Sequence, residues 1–219
     1  MNPTDEYIIF SDSLAGLLEQ YDNREKQAVK KILIRYMNEY KRLMEIADPL
    51  TVIVSFHFEL DRQIEEKFKI DQDAKTIQCK KGCYFCCEQN IDISLHEGML
   101  LYNAIKEEKI EIDMDKLERQ SKYIPETWHD QPEDDWSCVF LQKDHNCAVY
   151  EYRPASCRKY FVSSIKKFCD TKRRHQIVKR FVCVFAEIVG TVIFNQPGSG
   201  PLPKILIQSF NDHDTKRKN

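Results

Sequence analysis

Eight of the nine cysteines fall between Cys79 and Cys169, and none lies in the first 78 residues. Four of them crowd into Cys79-Lys80-Lys81-Gly82-Cys83-Tyr84-Phe85-Cys86-Cys87. That run has no hydrophobic periodicity and reads as a loop, with Gly82 supplying the positive φ a tight turn needs. The other four, Cys138, Cys147, Cys157 and Cys169, fall within or just beyond an aromatic, partly acidic and equally aperiodic stretch from Trp128 to Phe161. So long a stretch without regular structure needs something other than helix or sheet to order it. The cysteine count is odd, so complete disulfide pairing would leave one thiol over.

Compartment decides what clustered thiols do. The N-terminus lacks a basic n-region and a long apolar h-region. The longest apolar run, Phe181 to Phe194, is 14 residues with Glu187 inside it, too short to cross a bilayer. The expectation is a cytoplasmic protein with no membrane partner, in which thiols stay reduced and clusters of them bind metal. The chain has 33 basic and 35 acidic residues, a net charge of -2 and 42% apolar content. Those numbers argue against disorder and against a globally basic nucleic-acid binder. With six glycines there is no Walker or dinucleotide motif, and no catalytic residue is assigned.

Around the cysteines the pattern is helical, and the expected fold class is mainly α, with helices bracing an irregular cysteine-rich metal-binding core. From Arg24 to Ile46, Ala28, Ile32, Tyr36, Tyr40 and Leu43 recur at helical spacing. Asp48-Pro49 is an N-cap with a first-turn proline, and Ile53, Phe56, Leu60, Ile64 and Phe68 line a second helix from Leu50 to Phe68. Ser94 and Glu97 form a capping box opening a third helix through Gly98, Leu101 and Ile105. A short helix is expected from Asp113 to Tyr123, and another over Lys172 to Phe194. Ile205 to Phe210 reads as a short docking element. The expected organisation is a helical hairpin over 1–78, a cysteine module over 79–169, a C-terminal helix with docking segment over 170–210 and a flexible tail over 211–219.

Read by ligand chemistry alone, Cys79, Cys83, Cys86, Cys87, Cys138, Cys147, Cys157 and Cys169 supply four plus four thiolates. That suits two four-thiolate sites, or an iron–sulfur cluster beside a zinc site. Adjacent Cys86 and Cys87 are poorly placed to face one tetrahedral ion, so they serve different centres or one stays unligated. Arg153 and Arg158, inside the ligand run, are assigned to support around the ligands together with Tyr150. Lys80, Lys81 and Lys159 lie beside the ligands too. On this reading metal folds the segment from Cys79 to Cys169.

The order Cys79-x3-Cys83-x2-Cys86-Cys87, then Cys138-Val139-Phe140-Leu141, then Cys147 through Tyr150, Arg153 and Pro154 to Cys157-Arg158, resembles the YkgJ-type cysteine-cluster family, the CxxCxxCC zinc- or iron-chelating domain. The resemblance covers roughly Cys79 to Cys169 and implies metal binding, with the eighth cysteine mapping onto Cys169. A larger relative, the flagellin lysine methylase, carries such a module, so a small-group transferase using an iron–sulfur centre is one alternative. An interaction protein with a purely structural zinc site is another. Cys79-x3-Cys83-x2-Cys86 also matches the spacing of the radical S-adenosylmethionine cluster, but the strand–helix repeats of that fold are missing from the sequence pattern.

Other features carry plainer readings. Cys183, among Phe181, Val182, Val184 and Phe185, reads as a small buried hydrophobe. His145 and His96 lie near the cysteines as reserve ligands, with ordinary loop and helix roles as the alternative. Lys166, Lys167, Lys172, Arg173, Arg174, Lys179 and Arg180 form a basic run whose segment 172–180 could meet a protein partner. A solvated helix face is the simpler reading. Asp130, Glu133, Asp134 and Asp135 read as a solvated loop tip.

Overall fold

A computed structural model describes residues 12–80, 82–163, 169 and 179–216. The fold is mainly α-helical, as expected. Asp22 opens α2 (Asn23–Ile46) with a capping box closed by Glu25, and Asp48 caps α3 (Pro49–Ile70) through the Thr51 amide. The stripe of α2 that reaches the core is Val29, Leu33 and Tyr40, flanked by partly buried Ile32, Tyr36 and Leu43. Ala28, expected on that face, is exposed, because the packed stripe is centred one residue further along. On α3 the expected Ile53, Phe56, Leu60 and Ile64 are all buried.

Two apolar cores result. The first joins α1 (Asp12–Glu19), α2 and α3 to α7 (Val184–Phe194). Helix α7 is buried from Ala186 to Ile193, as an apolar run on all sides of a helix requires. Its one charge, Glu187, is 1% exposed and is paired with Lys159 and, at 3.8 Å, with Arg180. The second core joins α4 (Leu95–Glu107), α5 (Met114–Gln120) and α8 (Leu202–Lys216). Gly98 sets how closely α4 and α8 approach: a Cβ there would lie 2.7 Å from Ile205 Cγ2 and 2.8 Å from Ser209 Oγ.

The C-terminal third departs from expectation. Residues 172–178 lie outside the described residues, and Arg180–Phe181 is a strand, β3, not helix. It pairs antiparallel with β2 (Phe161–Val162), because Phe161 and Phe181 both pack edge-on against Phe68 at centroid distances of 5.1 and 5.2 Å. A second strand pair joins β1 (Asp92–Ile93) to β4 (Gly200–Pro201). Helix α8 is longer than the short element expected from Ile205 to Phe210, and it carries residues 211–216 of the expected tail.

Candidate functional site: a cavity walled by thiols

The two cysteine-bearing stretches are laid against each other by backbone bonds. The Cys138 amide donates to the Cys87 carbonyl at 2.7 Å. Trp128 Nε1 donates to the Glu88 carbonyl at 3.0 Å. The Val162 amide donates to Cys79 Sγ at 3.3 Å, and the Gln78 amide to the Val162 carbonyl at 3.2 Å. Cys147 faces Leu141 across an isolated antiparallel bridge, at the base of a turn in which His145 takes φ 65°. A non-glycine residue seldom adopts that conformation. The His145 ring stacks on Tyr84 with centroids 4.0 Å apart, which ties this turn to the first cysteine loop.

Cys157 lies in the short helix α6 (Ala155–Arg158), whose start is fixed from below. The Ala155 amide donates to Glu97 Oε1 at 2.7 Å. Glu97 is 3% exposed, and the same carboxylate bonds His57 Nε2 at 2.9 Å and the Ser94 amide at 2.8 Å. Burial opposes its ionisation, but His57 and the amides of Ala155 and Ser94 outweigh that and hold its carboxyl below the usual range. One side chain thus joins α3, α4 and α6. The capping box was legible in the sequence; its second use, holding the cysteine helix, was not.

These tethers enclose a cavity of about 370 Å³ where the two cores meet. Seven cysteines line it: Cys79, Cys83, Cys86, Cys87, Cys138, Cys147 and Cys157. Trp128, Phe140, Tyr160 and Phe161 supply apolar wall. Cys169 does not line the cavity, although Cys79, Cys83 and Cys86 are close enough to bear on its thiol, which burial first and these neighbours second push up to about 11. None of the nine cysteines is in a disulfide. Cys183 is buried in the first core and donates from Sγ to the Gln63 carbonyl at 3.4 Å.

The sulfurs spread around the wall instead of converging on a point. Among the described residues no three His, Cys, Asp or Glu side chains come together tightly enough to hold a metal ion. This overturns the expected metal-binding core, the iron–sulfur or zinc cofactor and the metal-ion partner. It equally removes the iron–sulfur transferase and structural-zinc alternatives that depended on such a centre. Among the described residues this segment is held by carbonyl tethers, aromatic stacking and Glu97.

The thiols differ in character. The adjacent Cys87 thiol, with Arg153 nearby, outweighs burial and brings the Cys86 thiol down to about 7. Cys87 itself is pushed up by its neighbour Cys86, by burial and by the other sulfurs. Burial pushes Cys138 up to about 12 and raises Cys157, Cys147 and Cys79. Of these thiols, Cys86 alone is shifted toward its ionised form.

The expected supporting residues take separate places. Arg153 lines the cavity, its guanidinium carbon 3.6 Å from the Tyr150 ring centroid and its Nε donating to the Tyr150 carbonyl at 2.8 Å. Arg158 points away: it is buried, donates to the Arg153 carbonyl at 2.6 Å and to the Glu151 carbonyl, and pairs with Asp61 of α3. It is a strut for the loop. His145 lines the cavity, whereas His96 does not. Asp135, expected in a solvated tip, is buried and anchors Arg119 and the Tyr123 hydroxyl. Most of the basic run, Lys166, Lys167, Lys172, Arg173 and Arg174, lies outside the described residues, as does Lys81. No helix among the described residues is long and apolar enough to cross a membrane.

Residues 78–179 match the CxxCxxCC family model, described as "Putative zinc- or iron-chelating domain". No curated protein and no solved structure matches the chain. The match covers the cavity's cysteines and leaves α1 to α3, α7 and α8 outside it.

Proposed function

Starting from a chain that carries a CxxCxxCC domain, we propose that the cavity is a thiol–disulfide exchange site, with Cys86 as the attacking thiol and Cys83 as the resolving one. The observation that carries this reading is seven cysteines lining a single cavity, two of them at the C-x-x-C spacing that dithiol–disulfide couples use. Cys86 Sγ, as thiolate, attacks one sulfur of a small disulfide. A mixed disulfide forms and one thiolate leaves, taking up a proton. Cys83 Sγ then attacks Cys86 Sγ, closing the Cys83–Cys86 disulfide and expelling the second thiolate. Two electrons pass from the protein dithiol to the substrate, and the two protein thiol protons end on the two released thiols. The apolar wall keeps water from the mixed disulfide. A reducing, cytoplasmic setting belongs to the same reading, because it returns the couple to its thiol form.

The test is equilibration of the reduced protein with redox buffers, acid quench, alkylation and peptide mapping. The expected result is one intramolecular disulfide, Cys83–Cys86, with a midpoint within about −180 to −270 mV. Cys83→Ser should trap the mixed disulfide on Cys86, and Cys86→Ser should abolish it. The reading fails if the cavity cysteines remain thiols throughout that range, or if mixed disulfides accumulate unresolved in the unsubstituted protein.

A further inference from the structure

The cavity wall is selective in charge as well as rich in sulfur. The chain carries 35 acidic residues in 219, yet among the described residues lining the cavity there is no Asp or Glu. The wall does hold two permanent cations, Lys80 and Arg153. Arg153 is fixed by its stack on Tyr150 and its Nε bond to the Tyr150 carbonyl. Among the described residues nothing accepts from its terminal amino groups, so a planar, pre-oriented fork is left toward the cavity, a shape suited to a carboxylate. Asn90 also lines the cavity, and its Oδ1 is buried without a partner among the described residues.

We propose that the substrate is a small peptidic disulfide bearing carboxylates, anchored through carboxylate to Arg153; this rests on the exchange reading above. The cavity holds about 370 Å³ and its wall is mostly carbon, so the guest is compact. A cationic disulfide meets like charge at Lys80 and Arg153 and is excluded.

The test compares three disulfides: diacetylcystine, which is anionic and carries amide N–H groups, neutral bis(2-hydroxyethyl) disulfide, and cationic cystamine. Each rate of Cys86 modification is divided by that disulfide's rate with free cysteine in the same buffer. The expected order is diacetylcystine over neutral by about tenfold or more, with cystamine slowest, and the spread shrinking as salt rises. Arg153→Met should collapse the anionic-to-neutral ratio toward one, and Arg153→Lys should keep part of it. Equal normalised rates for all three, with the Cys83–Cys86 disulfide still forming, would overturn the substrate assignment and leave the exchange reading intact. If no intramolecular disulfide forms with any of the three, the exchange reading itself is lost. If Arg153→Met does not fold, the unsubstituted protein's charge series decides alone.

Discussion

In the scaffold of α2, α3 and α7 each major contact comes from an apolar side chain at helical spacing, and the buried residues form one continuous cluster. The cysteine-bearing stretches, 79–90 and 128–162, are ordered another way. Their joints are amide and indole donors on carbonyls, a stacked His145–Tyr84 pair and a carboxylate, Glu97, reaching over from α4. Apolar burial is non-directional and tolerant, whereas each polar joint fixes one geometry and fails singly. A wall of thiols is therefore held in register against the second core by a few directional joints, and it depends on a few atoms.

The sharpest way to break that contrast is at Glu97, where the two regions meet. Glu97→Ala leaves His57 and the Ala155 amide buried without their acceptor and should lower stability by about 3–5 kcal/mol. Urea unfolding measures this, and a loss below about 1 kcal/mol would mean the loop does not lean on the carboxylate. The pH dependence has a definite sign. Because the folded carboxyl titrates below its unfolded value of about 4.3, its contribution is present above that pH and is lost as pH falls through the folded value. Glu97→Gln should flatten that acid limb. Next in size is Gly98→Ala, which leaves the joints of the cysteine stretches in place and strains the packing of α4 on α8. With Ile205 Cγ2 2.7 Å from the new Cβ, a loss of about 1–3 kcal/mol is expected by thermal unfolding. An unchanged midpoint would show that α4 and α8 can part without cost.

The same contrast explains what could be read in advance. The helices were legible because their periodicity and caps are local: Asp48 before Pro49, and Ser94 with Glu97, act within one turn. The single-residue offset on α2 was not, since Ala28 and Val29 are equally apolar and only packing chooses between them. The loop was legible as a place where cysteines gather, but not as a cavity. Its geometry depends on carbonyls such as Glu88 and Cys87, and a backbone acceptor leaves no mark in the sequence. Asp135 was misread for a similar reason: its partners Arg119 and Tyr123 are 16 and 12 residues away. The metal centre was inferred from cysteine count and spacing, and neither says whether sulfurs converge on a point or line a wall.

A smaller effect separates the ninth cysteine from the other eight. Cys183 packs in the first core, so Cys183→Ala should cost about 1 kcal/mol by urea unfolding, from lost burial and contact. The rate of Cys86 modification should not change. A slowed rate would show that the thiol cavity and the scaffold core are coupled more tightly than their separate contacts imply.

The smallest expected effect lies on the scaffold's outer surface and sets the scale for polar contacts that carry no loop. Glu59 accepts from Arg62, from Gln63 and from the Tyr36 hydroxyl at 2.8 Å, linking α3 to α2. The Arg62 bond is the largest cause bringing its carboxyl down to about 2, against a smaller opposing effect of burial. A depressed carboxylate contributes above its unfolded pKa, here about 4.3, and the contribution fades as pH falls toward 2. Arg62 is 47% exposed, so solvent screens the pair and its worth is below about 1 kcal/mol. The difference in stability between the unsubstituted protein and Glu59→Gln should thus be below about 1 kcal/mol at pH 6 and shrink between pH 4 and pH 2. A gap as large as that of Glu97→Ala would mean that polar contacts hold the scaffold too, and the division between an apolar frame and a polar-jointed thiol wall would no longer stand.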